Sequence, residues 1–143
     1  AALFGRDAER RDVRMEFDSP AGEIMILASE NAFTEALSNL LVNAIEAQPG
    51  GGRVRVSLLR GAEEAEVRVE DDGPGISAEL RDKIYQPFFT TKVTGTGLGL
   101  SIVARRAAEM GAKLECQSPV RDGKGTRFIL TLPQGAAKET IEP

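Results

Sequence analysis

Two glycine clusters lie where another molecule could approach the backbone closely. Gly73 and Gly75 belong to the segment Asp-Asp-Gly-Pro-Gly-Ile, which follows a run with the alternation of a strand. Gly95, Gly97 and Gly99 stand immediately before a run with helical spacing. Glycine permits positive φ and close approach, and uncovered N–H groups at a helix N-terminus bind anions, phosphate above all. The second cluster therefore predicts a phosphate-binding helix N-terminus.

This second cluster differs from the two common phosphate-binding motifs. Its spacing is Gly-x-Gly-x-Gly and no strand–helix–strand unit surrounds it, so it is not a Rossmann fingerprint. No Gly-Lys-Ser or Gly-Lys-Thr closes it, so it is not a P-loop. The glycines alone leave the fold of the site open.

A candidate metal site lies on the first long helical run. Glu35, Asn39 and Asn43 are spaced four residues apart and share one helix face. Asn is a weak helix former, so two of them one turn apart need an explanation. A solvated face is one explanation. The other is a pair of amide oxygens directed at Mg²⁺, which prefers oxygen ligands and is usually held together with substrate phosphates.

Other side chains near the glycines are also candidates for ligand binding. Asp71 stands at the end of a strand run and can accept a hydrogen bond from an approaching group. Lys92 can reach an anion, although a single lysine is more often solvated. Phe88 and Phe89 precede it, and aromatic rings are more often core than site residues.

Composition excludes several functional classes. The chain has 143 residues, no histidine, one cysteine and a net charge of −4. Without histidine, these residues contain no Ser–His–Asp triad, no histidine zinc site and no histidine phosphoacceptor. One cysteine gives neither a disulfide framework nor a metal-site spacing. The negative charge argues against a nucleic-acid binder held by phosphate contacts, and no apolar run is long enough to span a membrane.

The hydrophobic periodicity predicts one mixed sheet with helices on one face. Alternating runs predict strands over residues 12–18, 23–28, 53–59, 65–71, 113–118 and 126–132. Helical runs cover residues 30–47, 77–85 and 99–110, with Ser29 as the N-cap of the first and Gly111 as the stop of the last. These elements do not alternate as strand–helix–strand units, so an α+β sandwich is expected.

Taken together, the motifs resemble one known family in their order and separations. Asn39 and Asn43, Asp71-x-Gly73-x-Gly75, Phe88-Phe89 and Gly95-x-Gly97-x-Gly99 resemble the N box, first glycine box, F box and second glycine box of the catalytic ATP-binding domain of sensor histidine kinases. That domain belongs to the wider family of gyrase, Hsp90, histidine kinase and MutL ATPases. The segments NLLVNAIEA, DDGPGI, PFFTTK and GTGLGLSIV look most like the nitrogen-regulation type.

The resemblance runs from about residue 12 to 133 and implies the Bergerat fold, a two-layer α/β sandwich with about three helices on one face of a mixed sheet. It also implies roles. Asn43, with Asn39 beside it, would coordinate Mg²⁺, and Asp71 would accept a hydrogen bond from the adenine amino group of ATP. Catalytic roles would fall to Asn39, Asn43 and Lys92, under a short lid over residues 91–96. The implied ATP-binding positions are Asn39, Asn43, Asp71, Gly73, Gly75, Ile76, Phe88, Thr91, Lys92, Gly95, Thr96, Gly97, Leu98, Gly99 and Leu100.

Two departures from the family pattern matter. Many relatives carry a lysine or arginine three residues after the second asparagine, where this chain has Glu46. Lys92, Arg105 or Arg106 would have to balance the phosphate charge instead. The other departure is the absent histidine, which places the phosphoacceptor on a separate helical domain.

Four functions are compatible with the resemblance: a two-component kinase domain, a gyrase- or Hsp90-like ATPase clamp, an anti-sigma type serine kinase, and a degenerate domain that binds nucleotide or a partner only. Relatives that activate water or a serine hydroxyl place a glutamate, as general base, one turn before the Mg²⁺-binding asparagine. Here that position is Asn39, which cannot take a proton at neutral pH, whereas a neutral imidazole nucleophile needs less help. Asn39 therefore favours histidine phosphorylation.

The expected organisation is the end of a linker or preceding helix over residues 1–11, the kinase catalytic domain over residues 12–133, and a flexible tail over residues 134–143. The expected partners are a helical dimerisation domain with the phosphoacceptor histidine and a downstream response regulator, with no nucleic acid and no direct membrane contact. The isolated domain is expected to be cytoplasmic and monomeric, and the full-length protein dimeric. The sequence leaves open whether the full-length protein is anchored to a membrane.

Overall fold

A computed structural model describes residues 13–18, 28–86 and 99–134. In these residues the strands are β1 (Val13–Asp18), β2 (Gly52–Arg60), β3 (Glu64–Asp71), β4 (Lys113–Gln117) and β5 (Thr126–Pro133). The helices are α1 (Glu30–Glu46), α2 (Ala78–Arg81) and α3 (Gly99–Met110). The strand predicted over residues 23–28 lies outside the described residues, apart from its last residue.

The strands form one mixed sheet of five, in the order β1-β2-β3-β5-β4. β1 pairs with β2 in parallel, and the other neighbouring pairs are antiparallel. The register places Asp71, the last residue of β3, opposite Val54 on one side and Thr126 on the other. The end of β3 is therefore flanked on both sides by paired strands, which fixes the position from which the Asp71–Gly75 loop departs.

A single hydrophobic core lies between one face of the sheet and the helices. Alternate residues of the strands enter it from below, and α1 and α3 pack against each other above it. The fully buried large side chains of this core are Phe128, Leu40, Ile45, Leu130, Leu132, Val54, Val67, Val69 and Val103. The predicted two-layer sandwich with helices on one face is confirmed.

The two long helices begin and end where their sequences predict. The Ser29 hydroxyl accepts a hydrogen bond from the backbone N–H of Ala32 (3.3 Å), which satisfies a free donor of the first turn of α1. Gly111 ends α3 with a φ of +67°. The N–H of Ala112 donates to the carbonyl of Ala107 (2.8 Å), as in a Schellman motif. None of the helices in the described parts of the chain is long and apolar enough to cross a membrane.

The short helix α2 differs from the prediction. It ends at Arg81 instead of near Tyr85, and the Ser77 side chain makes no capping hydrogen bond. Beyond Arg81 the chain continues in tighter turns, in which the N–H of Lys83 donates to the carbonyl of Leu80 (2.9 Å). These turns bring Ile84 into the core, where 5% of it is exposed. Tertiary burial therefore overrides the helical periodicity of this segment.

Candidate functional site

Helix α1 approaches Gly73 of the first glycine cluster and Gly99, the described residue of the second. A Cβ at Gly99, the first residue of α3, would lie 3.5 Å from the Asn39 side-chain oxygen. A Cβ at Gly73 would lie 2.9 Å from the Ala47 carbonyl oxygen. Asn39, Asn43 and Ala47 are four residues apart, so they follow one helix face over about 12 Å. Asn43 therefore lies on α1 between the start of α3 and the loop that follows β3.

The Asn39 amide is held by its own helix. Its nitrogen donates to the backbone carbonyl of Glu35 at 2.8 Å, while its oxygen is the atom next to Gly99. The Glu35 carboxylate forms an ion pair with Arg106 of α3, which also pairs with Glu109. These hydrogen bonds and neighbouring carboxylates raise the pKa of Arg106 above its usual value. Arg106 is therefore engaged by carboxylates at the opposite end of α3 from Gly99.

Asp71 is a buried carboxylate at the mouth of the first glycine loop. It is 2% exposed, and one of its oxygens accepts a hydrogen bond from the backbone N–H of Gly73 at 2.8 Å. Two residues later Gly75 has a φ of +86°, a conformation that side-chain-bearing residues rarely adopt. A carboxylate has about four acceptor sites, so it can accept hydrogen bonds from more than one donor.

The loop between β4 and β5 closes over the glycine loop. The N–H of Ile76 donates to the Ser118 hydroxyl at 2.7 Å, and the N–H of Gly125 donates to the carbonyl of Gly73 at 2.8 Å. The Ser118 hydroxyl in turn donates to the carbonyl of Gly125 at 2.8 Å and lies 3.2 Å from the Thr126 hydroxyl. Hydrogen bonds from the β4–β5 loop thus help to hold the glycine loop in shape.

Three buried polar residues around Asp71 were missed by sequence reasoning: Gln48, Ser118 and Thr126, which are 4%, 4% and 3% exposed. Ser118 and Thr126 are at the ends of strand runs and gave no signal of their own. Thr126 could have been found by pairing the strands, because it is the register partner of Asp71. Gln48 directly precedes the Pro-Gly-Gly-Gly segment that ends α1. The sequence there predicts the end of a helix but no role for the Gln48 side chain.

The outer face of the sheet carries a row of four charged residues and one glutamine at the level of the site. Glu16, Arg55, Glu70, Arg127 and Gln117 are register partners across all five strands. Arg55 lies 3.4 Å from Glu16 and 3.1 Å from Glu70, and Arg127 donates at 2.9 Å to both Glu70 and Gln117. Opposite charges facing each other across strands stabilise a sheet.

Glu70 is the centre of this row. Its side chain is 8% exposed, and Arg121 of the β4–β5 loop joins Arg55 and Arg127 around it. Burial acts to raise the pKa of Glu70, but the hydrogen bonds from Arg127 and Arg121 outweigh it and hold the pKa below its usual range. Arg121 also pairs with Asp72 at 3.2 Å, so the outer face helps to fix the loop that follows Asp71.

The single cysteine, Cys116 of β4, lies near Asp71 and Tyr85. Burial raises the pKa of Cys116 to about 11, with Arg81 acting to lower it and Asp71 to raise it. Burial, together with Cys116, also raises the pKa of Tyr85 to about 12. Both groups are therefore neutral at physiological pH.

Seven predicted site residues lie outside the described residues: Phe88, Thr91, Lys92, Gly95, Thr96, Gly97 and Leu98. The described ones are Asn39, Asn43, Asp71, Gly73, Gly75, Ile76, Gly99 and Leu100. Ile76 and Leu100 are half-buried and pack against the hydrophobic core. Of the described ones, Asn39 and Asn43 lie on α1, Gly99 and Leu100 begin α3, and the remaining four lie at or just after the end of β3.

Comparison with known proteins identifies the family of this chain. The family described as "Histidine kinase-, DNA gyrase B-, and HSP90-like ATPase" matches residues 28–136. The sensor histidine kinase ZraS of Escherichia coli strain K12 is 35% identical over 131 residues, which cover 92% of this chain and 28% of ZraS. The chain thus spans about a quarter of the length of the curated relatives it matches.

Solved histidine kinases share the fold. The structure of ThkA in complex with the response regulator protein TrrA matches with a TM-score of 0.80 and 29% identity, over 94% of this chain and 38% of the solved chain. Full-length ShkA in complex with AMPPNP matches with a TM-score of 0.83 and 27% identity, over 95% of this chain and 28% of the solved chain. The chain belongs to the family of histidine kinase-, DNA gyrase B- and HSP90-like ATPases and is homologous to the catalytic ATP-binding domain of sensor histidine kinases.

Proposed function

We propose that this chain binds Mg-ATP and transfers the γ-phosphoryl group to a histidine on a separate helical domain, within a two-component sensor kinase. The observation that carries the proposal is the face of α1 that holds Asn39, Asn43 and Ala47. At one end of this face lies Gly99, the start of a helix whose N-terminus is suited to phosphates. At the other end lies Gly73, in the loop after the Asp71 carboxylate, which is suited to a base amino group. The homologues, which include a kinase solved with the ATP analogue AMPPNP and one solved with a response regulator, support the same function.

At the base end of the site, we propose that Asp71 accepts a hydrogen bond from the adenine amino group. Asp71 is buried and its carboxylate is fixed by the Gly73 N–H, so it is oriented before a ligand arrives. Gly73 packs against Ala47 with no room for a side chain, and this keeps the loop close to α1. A hydrogen bond to a charged acceptor contributes about 1.5–3 kcal/mol, which is enough to select one base over another.

At the phosphate end, the oxygen ligands on α1 fit Mg²⁺. Asn43 and Asn39 offer amide oxygens, the ligand type that Mg²⁺ accepts beside phosphate oxygens and water, and the Asn39 oxygen already faces the start of α3. Bound Mg²⁺ would neutralise charge on the phosphates. Lys92, which lies outside the described residues, is proposed to contribute positive charge in place of a basic residue at position 46.

The surroundings of Asn39 favour phosphoryl transfer to histidine over hydrolysis. The Asn39 amide donates to the Glu35 carbonyl and has no basic atom with which to activate water. Glu35 lies two turns before Asn43, and its carboxylate is paired with Arg106. Neither residue is suited to act as a general base, whereas a neutral imidazole attacks phosphorus with its own lone pair.

In the proposed reaction, an imidazole nitrogen of the partner forms a bond to the γ-phosphorus of ATP. The bond from that phosphorus to the bridging oxygen breaks, and ADP leaves with the electron pair. The product is a phosphoramidate on the partner. This chain contains no histidine, so the acceptor must come from elsewhere.

The test is incubation of the chain with γ-labelled ATP, with and without a helical domain that carries the acceptor histidine. We expect label on the partner only, lost in acid and retained in alkali. Acid-stable label on the chain itself would favour a serine kinase. Rapid steady hydrolysis without a partner would favour a clamp-type ATPase.

The metal assignment has a separate test in Asn43→Ala. This variant should keep its fold and lose most of the Mg²⁺-dependent affinity for ATP, measured by calorimetry. Asn31→Ala is the matched control, because Asn31 is an exposed asparagine in the first turn of the same helix. Mg-ATP binding by Asn43→Ala at full strength would remove Asn43 as a metal ligand.

A further inference from the structure

The buried amide of Gln48 joins three separate parts of the site's frame. Gln48 is 4% exposed and follows the C-cap of α1. Its Nε2 donates to the carbonyls of Ala44 (3.2 Å) and Arg53 (3.1 Å). Its Oε1 accepts from the N–H groups of Arg53 (2.9 Å) and Asp72 (3.2 Å). Both donors and both lone pairs of the amide are therefore in use.

These bonds go beyond what is needed to end a helix. A glutamine that only capped α1 would contact the carbonyls of its last turn. Gln48 also spans 24 residues of sequence to reach the backbone of Asp72, the residue after the proposed base acceptor. The chain leaves room for this amide at Gly52, where a Cβ would lie 1.9 Å from the Gln48 oxygen.

The bond to Asp72 lies where the loop that follows Asp71 approaches the end of α1. Asp71 is carried by β3 and the loop after it, whereas Asn43 is carried by α1, one turn before Ala47. Their separation depends on how closely this loop approaches the end of α1. Gln48 provides the side-chain hydrogen bond that ties the loop backbone to that end, next to the contact of Gly73 with Ala47.

We propose that Gln48 is a positioning residue that fixes the distance between Asp71 and Asn43, so that the base and the metal-bound phosphates of one nucleotide are engaged at the same time. The proposal rests on the nucleotide site proposed above. Gln48 itself contacts neither the base nor the phosphates. It acts through the backbone of Asp72 and the end of α1.

The measurable consequence is a coupling between metal binding and base binding, defined here as the ratio of the ATP affinities with and without Mg²⁺. In the unchanged chain, Mg²⁺ should raise the affinity for ATP because both ends bind together. Gln48→Ala removes the tie to Asp72, so each end still binds but no longer at the right separation. Loss of one neutral hydrogen bond is worth about 0.5–1.5 kcal/mol, so the ratio of ATP affinities with and without Mg²⁺ should fall about 2- to 12-fold.

Two further variants separate positioning from stability. Gln48→Glu keeps an acceptor for the Asp72 N–H but places a carboxylate against the Ala44 and Arg53 carbonyls. It should lower the free energy of unfolding and yet keep most of the coupling. Gly52→Ala leaves Gln48 in the chain but displaces its oxygen, and should reduce the coupling as Gln48→Ala does.

Gln134 provides a matched control at the other end of the sheet. Its side-chain nitrogen also bridges two backbone carbonyls, those of Gly61 (2.6 Å) and Glu64 (3.0 Å), but Glu64 is the residue of β3 farthest from Asp71. Gln134→Ala should leave the coupling unchanged.

The experiment is calorimetric titration of ATP into these variants, in Mg²⁺ and in a chelator, beside urea unfolding of each. Reduced coupling in Gln48→Ala and Gly52→Ala, with coupling kept in Gln48→Glu and Gln134→Ala, supports the proposal. Coupling in Gln48→Ala equal to that of the unchanged chain, or coupling that merely follows stability across the set, overturns it. Failure of the unchanged chain to bind ATP at all would instead overturn the proposed function, and this inference with it.

Discussion

Glu70 and Asp71 are adjacent carboxylates of β3, both buried, and the protein holds them in opposite ways. Glu70 points to the outer face of the sheet, where three arginines surround it. Asp71 points to the helix face, where the backbone N–H of Gly73 holds one of its oxygens. They are 6% and 2% exposed, so burial does not distinguish them.

The difference shows how a buried carboxylate can serve structure or binding. A carboxylate surrounded by guanidinium groups has its charge balanced and its acceptor sites filled, and this ties together the strands that supply the arginines. A carboxylate oriented by a backbone N–H is held in a fixed direction and can accept hydrogen bonds from more than one donor. We therefore propose that Glu70 serves the stability of the sheet and that Asp71 serves recognition of the base.

The largest expected effect is on nucleotide affinity in Asp71→Asn. Losing a charged hydrogen bond to the adenine amino group costs about 1.5–3 kcal/mol, or about 10- to 150-fold in affinity for ATP. GTP presents a carbonyl at that position, which a carboxylate repels, so the unchanged chain should prefer ATP by a similar factor and the variant should lose the preference. Calorimetry with the two nucleotides measures both quantities.

The control for that experiment is Glu70→Gln, one residue away on the other face of the sheet. Its folded form should bind ATP with an affinity close to that of the unchanged chain. Equal affinity of the unchanged chain for ATP and GTP would contradict the placement of the base at Asp71.

The next effect is on stability in Glu70→Gln. Removing one partner of a fully buried ion pair costs about 3–5 kcal/mol, and the arginines here are 26%, 31% and 46% exposed, so water offsets part of the loss. We expect the free energy of unfolding to fall by about 1–3 kcal/mol in urea titrations. If the free energy of unfolding fell more in Asp71→Asn than in Glu70→Gln, the roles proposed for the two carboxylates would be reversed.

A smaller effect is the acid dependence of that stability. Because hydrogen bonds from arginines hold the pKa of Glu70 in the folded state below its ordinary value of 4.5, the unfolded chain takes up the proton first as the pH falls. The contribution of Glu70 is thus complete above about pH 4.5 and is lost as the pH falls through the folded-state pKa. The stability difference between the unchanged chain and Glu70→Gln should narrow over that range. A constant difference down to the lowest pH at which the chain folds would contradict the pKa shift.

The smallest effect uses the single thiol as a probe of the Asp71 charge. Burial raises the pKa of Cys116 from the ordinary value of 9.0 to about 11, so alkylation at pH 8 should be about 100-fold slower in the folded than in the unfolded chain. Asp71 contributes to this increase, so Asp71→Asn should lower the pKa of Cys116 slightly. Glu70→Gln should not, because Glu70 is on the outer face. The rate of alkylation as a function of pH measures each value, and an equal shift in both variants would mean that the thiol does not sense Asp71 in particular.

Much of the fold could be predicted because its signals are local. The apolar spacing of α1, the Ser29 cap and the stop at Gly111 depend on residues within one or two turns of each other, and all were predicted correctly. The segment after Ser77 shows the limit of such signals. Its helical spacing continues to Tyr85, but burial of Ile84 in the core replaces the helix with turns after Arg81.

The residues of the candidate site also divide into those that local sequence patterns reveal and those that only long-range contacts reveal. Its asparagines, carboxylate and glycines are visible in the sequence because their types and spacing are unusual for plain helices and strands. The residues that hold them in place, Gln48, Ser118 and Arg121 among them, are of ordinary types at ordinary positions. Their bonds reach partners 24, 42 and 51 residues away, so no local pattern marks them.

The sequence alone therefore determined which chemistry this chain could support: an anion-binding helix start, an oxygen-ligand face on α1 and a carboxylate for a base. Only the tertiary structure decided that three arginines surround Glu70. The alternation along β3 puts Glu70 and Asp71 on opposite faces, but the strand order β1-β2-β3-β5-β4 decides that Arg55 and Arg127 are the neighbours of Glu70. Strand order is a long-range property, set by burial of the whole apolar face at once, and no window of sequence contains it.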